Sequence, residues 1–365
     1  MRLARKSKSA SGIALIIVMI SVFVLMIIAG GFAYSMKVET RLALRANDEA
    51  ELQWIGRSGV EYCRWILALQ MACPQEPYDA LNQPWAGGPG GPCTTNGPLM
   101  EIQQEVKVGR GSFTWKMADA ERKWNINTAN EQILQQSLLL MGVDAGSVTL
   151  VVNSILDWID PDDSQHVGGG AETAYYERLD PPYPAKNGPI DDISELLLVQ
   201  GITPELYWGA ASTNNPPGVL QERLKQNSHP LSQQSLILVG LVDLFAPVSS
   251  GRININTASA EALQLIPGMN EILAQEFVAA RTGDFDPMTG MGGPFLNTQP
   301  QYLWTRVPGL TLEVARQIQM FGDVRSRTFE VEVTAKVGAS TRVYHATIVR
   351  NHPRDLQVVN FYWKM

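Results

Sequence analysis

The residues whose types and spacing could do chemistry are concentrated in Asp157-Trp-Ile-Asp160-Pro-Asp162-Asp163, which runs into Gly168-Gly-Gly170 and then Glu172. Carboxylates this close repel one another unless a cation neutralises them. Oxygen donors on a flexible loop, joined by a carboxylate from further along the chain, suit Ca²⁺ better than a transition metal. The candidate ligands are Asp160, Asp162, Asp163 and Glu172. The spacing is not that of an EF-hand, because Gln165 stands where the turn glycine belongs and Glu172 falls one place late. An exposed acidic turn that caps the next helix fits the same run, and from the residues alone both readings stay open. Asp191, Asp192 and Glu195 form a second acidic cluster, which reads as the first turn of a helix, where negative charge is favoured.

Other chemistries lack their residues. No HExxH, Gly-x-Ser-x-Gly or P-loop pattern occurs, and Gly168-Gly-Gly170 is flanked by acids, the wrong company for a phosphate. A non-enzymatic protein is therefore expected. Three Cys and four scattered His (His166, His229, His345, His352) are too few for a zinc cluster of the usual spacing. Lys plus Arg number 29 against 36 Asp plus Glu, a formal charge of −7, which argues against a protein built to neutralise phosphates. With 45% apolar and 18% charged residues among 365, the chain can bury a core and has the length of two or so folded units.

A repeat runs through the middle of the chain. Asn125-Ile-Asn-Thr-Ala129 recurs as Asn254-Ile-Asn-Thr-Ala258, and each copy leads into an acidic first turn (Glu131, Glu261) and an amphipathic helix. Thr128 or Thr257 is positioned to cap those helix starts, with Glu131 three residues after Thr128 nearly completing a capping box. The second copy continues as Leu263-Gln-Leu-Ile-Pro-Gly268-Met-Asn into a helix ending at Arg281. This resembles the helix-hairpin-helix module of competence and repair DNA-binding proteins. Leu303-Trp-Thr-Arg-Val-Pro-Gly309-Leu and Leu198-Val-Gln-Gly201-Ile look like weaker versions. In that module a Gly-x-Gly hairpin lets backbone N–H groups approach a phosphate, with nearby Lys or Arg adding attraction. Here Asn270 and Thr311 replace the second Gly, and the helix after Gly268 carries Glu271 and Glu276 against one positive residue, Arg281. Arg306, Arg316, Arg325 and Arg327 supply some positive charge. The balance favours a helical packing unit with no nucleic acid as partner. A membrane-anchored, competence-type DNA-binding protein is the alternative function.

The elements that must position these motifs begin at the N-terminus. Arg2, Arg5, Lys6 and Lys8 precede Ser11-Gly12, and residues 13–36 are uncharged. As a helix rising about 1.5 Å per residue that stretch reaches roughly 36 Å, enough to cross a hydrocarbon core of about 30 Å. The basic cluster ahead of it places the N-terminus in the cytoplasm and the rest outside. Beyond it Leu42, Leu52, Ile55, Val60, Cys63, Ile66 and Leu69 recur at helical spacing with no Pro, so one long helix is expected, half in the membrane and half projecting. Residues 84–98 are mostly Gly and Pro and read as a loop. Phe113, Trp115 and Met117 then alternate with polar residues. The alternation returns only in Phe329, Val331, Val333, Ala335 and Val337, with further strands expected over Arg342–Arg350 and Leu356–Trp363. Strands split by a helical stretch imply an α+β fold, a small antiparallel sheet interrupted by an inserted all-α domain.

A basic leader ending in Gly, directly ahead of such a helix, resembles the leader of type IV pilins and type II secretion pseudopilins. The resemblance implies a pilin-like fold in which residues 1–12 are the leader and 13–36 the transmembrane half of the helix. Residues 37–122 and 324–365 would then form the pilin-like domain around an insertion at 123–323. It also implies that a prepilin peptidase cuts after Gly12, so that the mature chain begins, methylated, at Ile13. Most members carry Glu as the fifth mature residue; here that position is Ile17. A missing Glu is typical of the K-type minor pseudopilin (general secretion pathway protein K family), which also has an unusually large globular part. Membership would make the chain a single-pass protein of the bacterial inner membrane with its globular part in the periplasm. It would cap and help initiate the pseudopilus of a type II protein secretion system. Its partners would be the I- and J-type minor pseudopilins and the major pseudopilin. In that family the inserted domain binds calcium. An Asp-Trp-Ile-Asp segment followed by Gly-Ala-Glu and a Tyr pair, here Tyr175 and Tyr176, is characteristic, so the resemblance turns the acidic run into a site for one or two calcium ions. Outside the cytoplasm Cys73 and Cys93 are most simply a disulfide, closing a loop of about 20 residues and contributing on the order of 3 kcal/mol. Cys63 is left as a buried thiol, since a Cys63–Cys73 pair on one helix would have to span about 15 Å.

Overall fold

The computed structural model describes residues 11–95, 97–209, 239–283, 288 and 292–363. Leader residues 1–10 and His229 lie outside the described residues. One helix, α1 (Ser11–Ala72), takes up the N-terminal part. No Pro interrupts it, and it stops where Cys73-Pro74 follows, because Pro disfavours helical backbone in the residue before it. Its apolar half is exposed and is long and apolar enough to cross a membrane. In the second half Leu52, Ile55, Val60, Cys63, Ile66 and Leu67 turn to one buried face.

The sheet covering that face has five antiparallel strands. Counted along the chain, they lie in the order β1 (Glu105–Val108), β2 (Gly111–Asp119), β7 (Thr328–Val337), β8 (Ser340–His352), β9 (Asp355–Trp363). The expected interruption is there: β2 pairs along its whole length with β7, from Gly111↔Val337 to Asp119↔Phe329. Phe113, Trp115, Phe329, Val331 and Val333 point inward to meet α1. Gly56 and Gly59 let the helix lie close, since a Cβ at either would collide with the side chain of Tyr344 or Val333.

The Gly/Pro-rich stretch is more than the plain loop expected. Pro84–Ala86, Pro92–Thr95 and Pro98–Glu101 are single helical turns, each opened by a Pro whose fixed φ suits a first helical position. Trp85 is buried with its ring 5.1 Å from that of Phe329. Buried Glu76 holds the segment in place, accepting from Gln70 Nε2 (2.6 Å), Gln83 Nε2 (2.9 Å) and the Cys93 N–H (3.1 Å). Cys73 and Cys93 are joined, with Cα atoms 6.3 Å apart. Cys63 is fully buried, and burial pushes its thiol pKa up.

The insertion leaves the sheet after Asp119 and returns at Thr328, so it is slightly longer than 123–323. It has its own core, separate from the one between helix and sheet, and consists of two modules of one plan. The first opens with β3 (Trp124–Asn125) and closes on it in parallel with β4 (Phe245–Ala246); the second does the same with β5 (Ile253–Asn254) and β6 (Gly322–Asp323). Each repeat thus begins as a strand and turns into a helix. Helix pairs fill both modules and turn on glycines with positive φ: Gly142 (78°) and Gly201 (84°) in the first, Gly268 (82°) and Gly309 (77°) in the second. The residues that replace the second hairpin Gly have another task. Asn270 and Thr311 are helix N-caps, accepting from the Leu273 and Val314 N–H groups, as Asp144 and Thr203 do in the first module. The capping expected of Thr128 and Thr257 falls instead to Asn130 and Ser259, which accept from Ile133 N and Ala262 N. The reason is local: a turn closed by Ala129 N on Asn125 O, and by Ala258 N on Asn254 O, delays each helix by two residues.

The insertion occupies one end of the sheet. At the other end Gly111 approaches Ile55, and Arg110 pairs with Glu51. The Asp119/Thr328 end lies beside Leu67, whose carbonyl accepts from Arg350 Nη1 at 3.2 Å. Leu67 stands about 46 Å along the helix from Met36, at about 1.5 Å per residue, so the insertion is on the side far from the membrane-length segment.

Candidate metal centre

The acidic run is folded by the helix Ala145–Ile159, capped at its start by Asp144 and ended by Asp160. Asp157 and Asp160, one turn apart, share a face of its last turn. Gly168 and Gly169, with φ of 101° and 105°, then turn the loop back underneath, where a Cβ on Gly170 would collide with Asp157 Oδ2. Glu172, at the start of the one-turn helix Thr173–Tyr176, is thereby brought in from the far side. A packed aromatic floor supports the site: the Trp158 ring is 5.2 Å from Tyr176, which stacks on Tyr183 at 5.3 Å.

One oxygen each from Asp160, Asp162 and Glu172 lies within 4.8 Å of the others, and Asp157, Asp160 and His166 converge in the same way. Asp157 is fully buried and Glu172 nearly so. Asp157 Oδ2, Asp160 Oδ1 and both oxygens of Glu172 are buried without a hydrogen-bond partner. Unsatisfied carboxylate oxygens are costly away from water. Burial, then repulsion from Asp157, Asp160, Asp163 and Asp162, pushes Glu172 up to about 7. Burial and Asp162 raise Asp160 as well. His166 caps the far side, its Nδ1 against Asp157 Oδ1, and that hydrogen bond raises its pKa. An oxygen-rich, electron-rich hollow of this kind fits a hard divalent cation.

Of the residues picked from the sequence, Asp160, Asp162 and Glu172 come together. Asp163 turns away and accepts from the Thr173 N–H at 3.2 Å. Asp157 was not among the four, although its spacing from Asp160 on a helix end was a readable signal. The second acidic cluster is the helix start expected. Asp192 and Glu195 form a capping box, and Lys186 Nζ pairs with Asp191 (2.7 Å) and Glu195 (2.8 Å). Gly12 lies in the first turn of α1, and Ile13 and Ile17 lie in its exposed apolar half.

Two of the arginines that would serve a nucleic acid, Arg281 and Arg306, are engaged inside, while Arg316 and Arg327 stay at the surface. Arg281 donates to the Ile255 and Ala258 carbonyls, and burial lowers its pKa to about 10. Arg306 is buried on the Gly292 and Gly293 carbonyls. Arg316 pairs with Glu313, and Arg325 Nε donates to Pro77 O.

A second polar cluster joins insertion to sheet. Asp119 Oδ2 accepts from Asn254 Nδ2 (3.0 Å), Thr257 Oγ1 (2.5 Å) and Ser326 Oγ (2.5 Å). Glu121 takes the N–H groups of Ser250, Arg327 and Thr328. Asp79 pairs with buried Arg350 and accepts from Ser326 N at 2.9 Å. Burial, then Glu121, raises Asp119 to about 8, partly offset by the two hydroxyls.

Comparisons with known proteins agree with this architecture. Residues 115–211 match the family model for type II secretion system protein K, and residues 248–291 match the helix-hairpin-helix motif. The chain is similar to the type II secretion system protein K of Klebsiella pneumoniae, 24% identical over 54% of this chain and 59% of the relative. It is also similar to that of Pectobacterium carotovorum, 29% identical over 27% of this chain and 35% of the relative. The aligned segments therefore span only about a third to three fifths of those relatives. In fold the chain matches one from the crystal structure of the GspK-GspI-GspJ complex of enterotoxigenic Escherichia coli. The TM-score is 0.60 and the identity 20%, over 88% of this chain and 98% of that one.

Proposed function

We propose, from this chain's membership of the type II secretion system protein K family, that it is a minor pseudopilin capping the periplasmic pseudopilus. In this reading α1 anchors it in the bacterial inner membrane, the globular part stands in the periplasm, and the protein is a non-enzymatic structural subunit. Its partners are the I- and J-type minor pseudopilins, with the major pseudopilin below. The observation that carries the reading is the insertion at the membrane-distal end of the sheet, where another subunit would otherwise stack. Ile17 supports it: a carboxylate in hydrocarbon is costly unless a neighbour pairs with it, and a subunit at the end of a fibre lacks one neighbour. Labelling an epitope placed in the insertion should mark one end of each fibre; label spread along its length rules out the cap. N-terminal sequencing of membrane-extracted protein should begin at Ile13, and an intact Met1 beside an active prepilin peptidase removes the pseudopilin assignment.

The acidic hollow is read as a Ca²⁺ site held by Asp157, Asp160, Asp162 and Glu172, with Asp163 steadying the next helix. The ion would supply the positive charge that lets these carboxylates stay ionised and buried. The four unpartnered oxygens support this over an acidic turn, whose side chains would face water.

A further inference from the structure

We propose that the open edge of β9 is where a partner subunit adds an extended strand, seating a basic side chain in the acidic groove beside it. This rests on the minor-pseudopilin reading and deepens it by naming the surface. The two edges of the sheet differ in kind. β1 is four residues long and carries Glu105 and Lys107, the short, charged form that discourages pairing. β9 is nine residues long, and from Leu356 to Trp363 it has neither charge nor Pro. Its outer edge pairs with no strand among the described residues. A register irregularity opposite Thr347/Ile348 leaves Val359 as an extra residue, 59% exposed, so the pairing edge is the half beyond it, Asn360 to Trp363.

Both sides of that half-strand are prepared for contact. On the helix side Arg57 covers the rings of Trp54 (5.3 Å) and Phe361 (5.8 Å), and Arg342 lies 4.0 Å over Trp363. Trp54 is 66% exposed. Trp, Tyr and Arg are the residue types that dominate binding energy at protein interfaces. On the other side is a groove of about 250 Å³ lined by Asp192, Pro247, Glu330, Thr347, Asn360 and Tyr362. Glu330 makes no ion pair among the described residues, and Lys186 is turned to Asp191 and Glu195. The groove therefore has surplus negative charge. Unpaired strand groups call for an extended segment rather than a helix. Because side chains alternate along a strand, its residues would meet Trp54 and Phe361 on one side and place Lys or Arg in the groove on the other.

The test uses the full chain in membranes with the I- and J-type minor pseudopilins of the same secretion system. A photo-crosslinking residue at position 362 should capture one of them, whereas the same residue at position 107 on the opposite edge should not. Trp54→Ala, at the exposed ring the added strand would cover, should lower their co-purification at least tenfold without changing the melting temperature of the chain. Glu330→Lys should lower it more than Glu330→Gln. Capture of a second copy of this chain from position 362, or undiminished co-purification of Trp54→Ala, overturns the strand-addition proposal. If the unmodified chain co-purifies with its partners but position 362 captures neither, the edge alone is wrong. If the unmodified chain binds neither, the minor-pseudopilin reading falls, and the proposal with it.

Discussion

The two copies of Asn-Ile-Asn-Thr-Ala have the same residues and the same local turn, yet do different work. In both, the first Asn accepts from the N–H two residues on: Asn127 N on Asn125 Oδ1, and Asn256 N on Asn254 Oδ1, each at 2.9 Å. In both, the second Asn exchanges two hydrogen bonds with a distant backbone segment, Asn127 with Ile190 and Asn256 with Phe295. Beyond that they part. Asn125 Nδ2 reaches, among the described residues, only Ser249 O, and Thr128 is exposed. Asn254 Nδ2 reaches Asp79 O, Asp119 and Ser326 at once, and Thr257 is buried against Asp119. A short sequence can specify its own turn, while its outward-facing polar atoms take their meaning from the surface they meet.

Asn254→Ala should break that contrast most severely. It removes one of the three donors to Asp119 Oδ2 and takes the Asn254 amide from the buried Asp79 carbonyl, with a loss of about 3 kcal/mol, against about 1 kcal/mol for Asn125→Ala. Denaturant unfolding of the two variants measures this, and equal losses would show that the joint adds nothing.

The modules also differ in that, among the described residues, only the first holds the acidic hollow. Calcium at a hundredfold excess over its Kd should stabilise the folded chain by about 2.7 kcal/mol. A chelator should then speed amide exchange around 145–176 and leave 253–323 unchanged, and Asp157→Asn should remove the difference. Calcium-independent exchange in both modules would return the loop to an acidic turn.

The joint of the second copy should respond to pH. A carboxyl whose pKa is raised on folding holds its proton longer in the folded state, so stability falls as pH rises from the unfolded value, about 4, toward the folded one. For Asp119 that value is about 8. Melting temperatures across this window should fall less steeply in Asp119→Asn, and parallel slopes would remove Asp119 as the cause. The smallest contrast is between the threonines: Thr257→Val should cost about 1 kcal/mol and Thr128→Val less than about 0.5 kcal/mol. A loss at Thr128 matching that at Thr257 would contradict its exposure.

Much of this architecture could be read from periodicity. The long helix declares itself by an apolar run followed by helical spacing without Pro. The interrupted sheet shows in two alternating segments, Phe113–Met117 and Phe329–Val337, that make sense only as neighbours. Three of the hollow's carboxylates were visible because close acids need an explanation. What stayed hidden depends on approach through space. Asp119 reads as the end of a strand and Arg350 as one more strand residue, until folding puts Asn254 beside the first and Asp79 beside the second. Glu76 gives no local sign that it will hold the Gly/Pro-rich stretch. The true helix caps were missed by two residues because the turn ahead of each helix is closed by backbone atoms, which composition does not reveal.

The pairing of β2 with β7 also sets an order in time. Asp119 waits for Phe329, 210 positions later, and until that residue arrives the buried face of α1 has β1, β2 and the Gly/Pro-rich stretch to cover it, without the three longer-range strands β7, β8 and β9. Loop-closure entropy grows slowly with length, but here the loop closes itself: each module brings its own ends together through β3–β4 and β5–β6. The insertion can finish folding first and deliver β7 beside β2, as a clasp snaps shut when its two halves are already aligned. A chain stalled before Thr328 should therefore show protected modules beside a helix that proteases still cut.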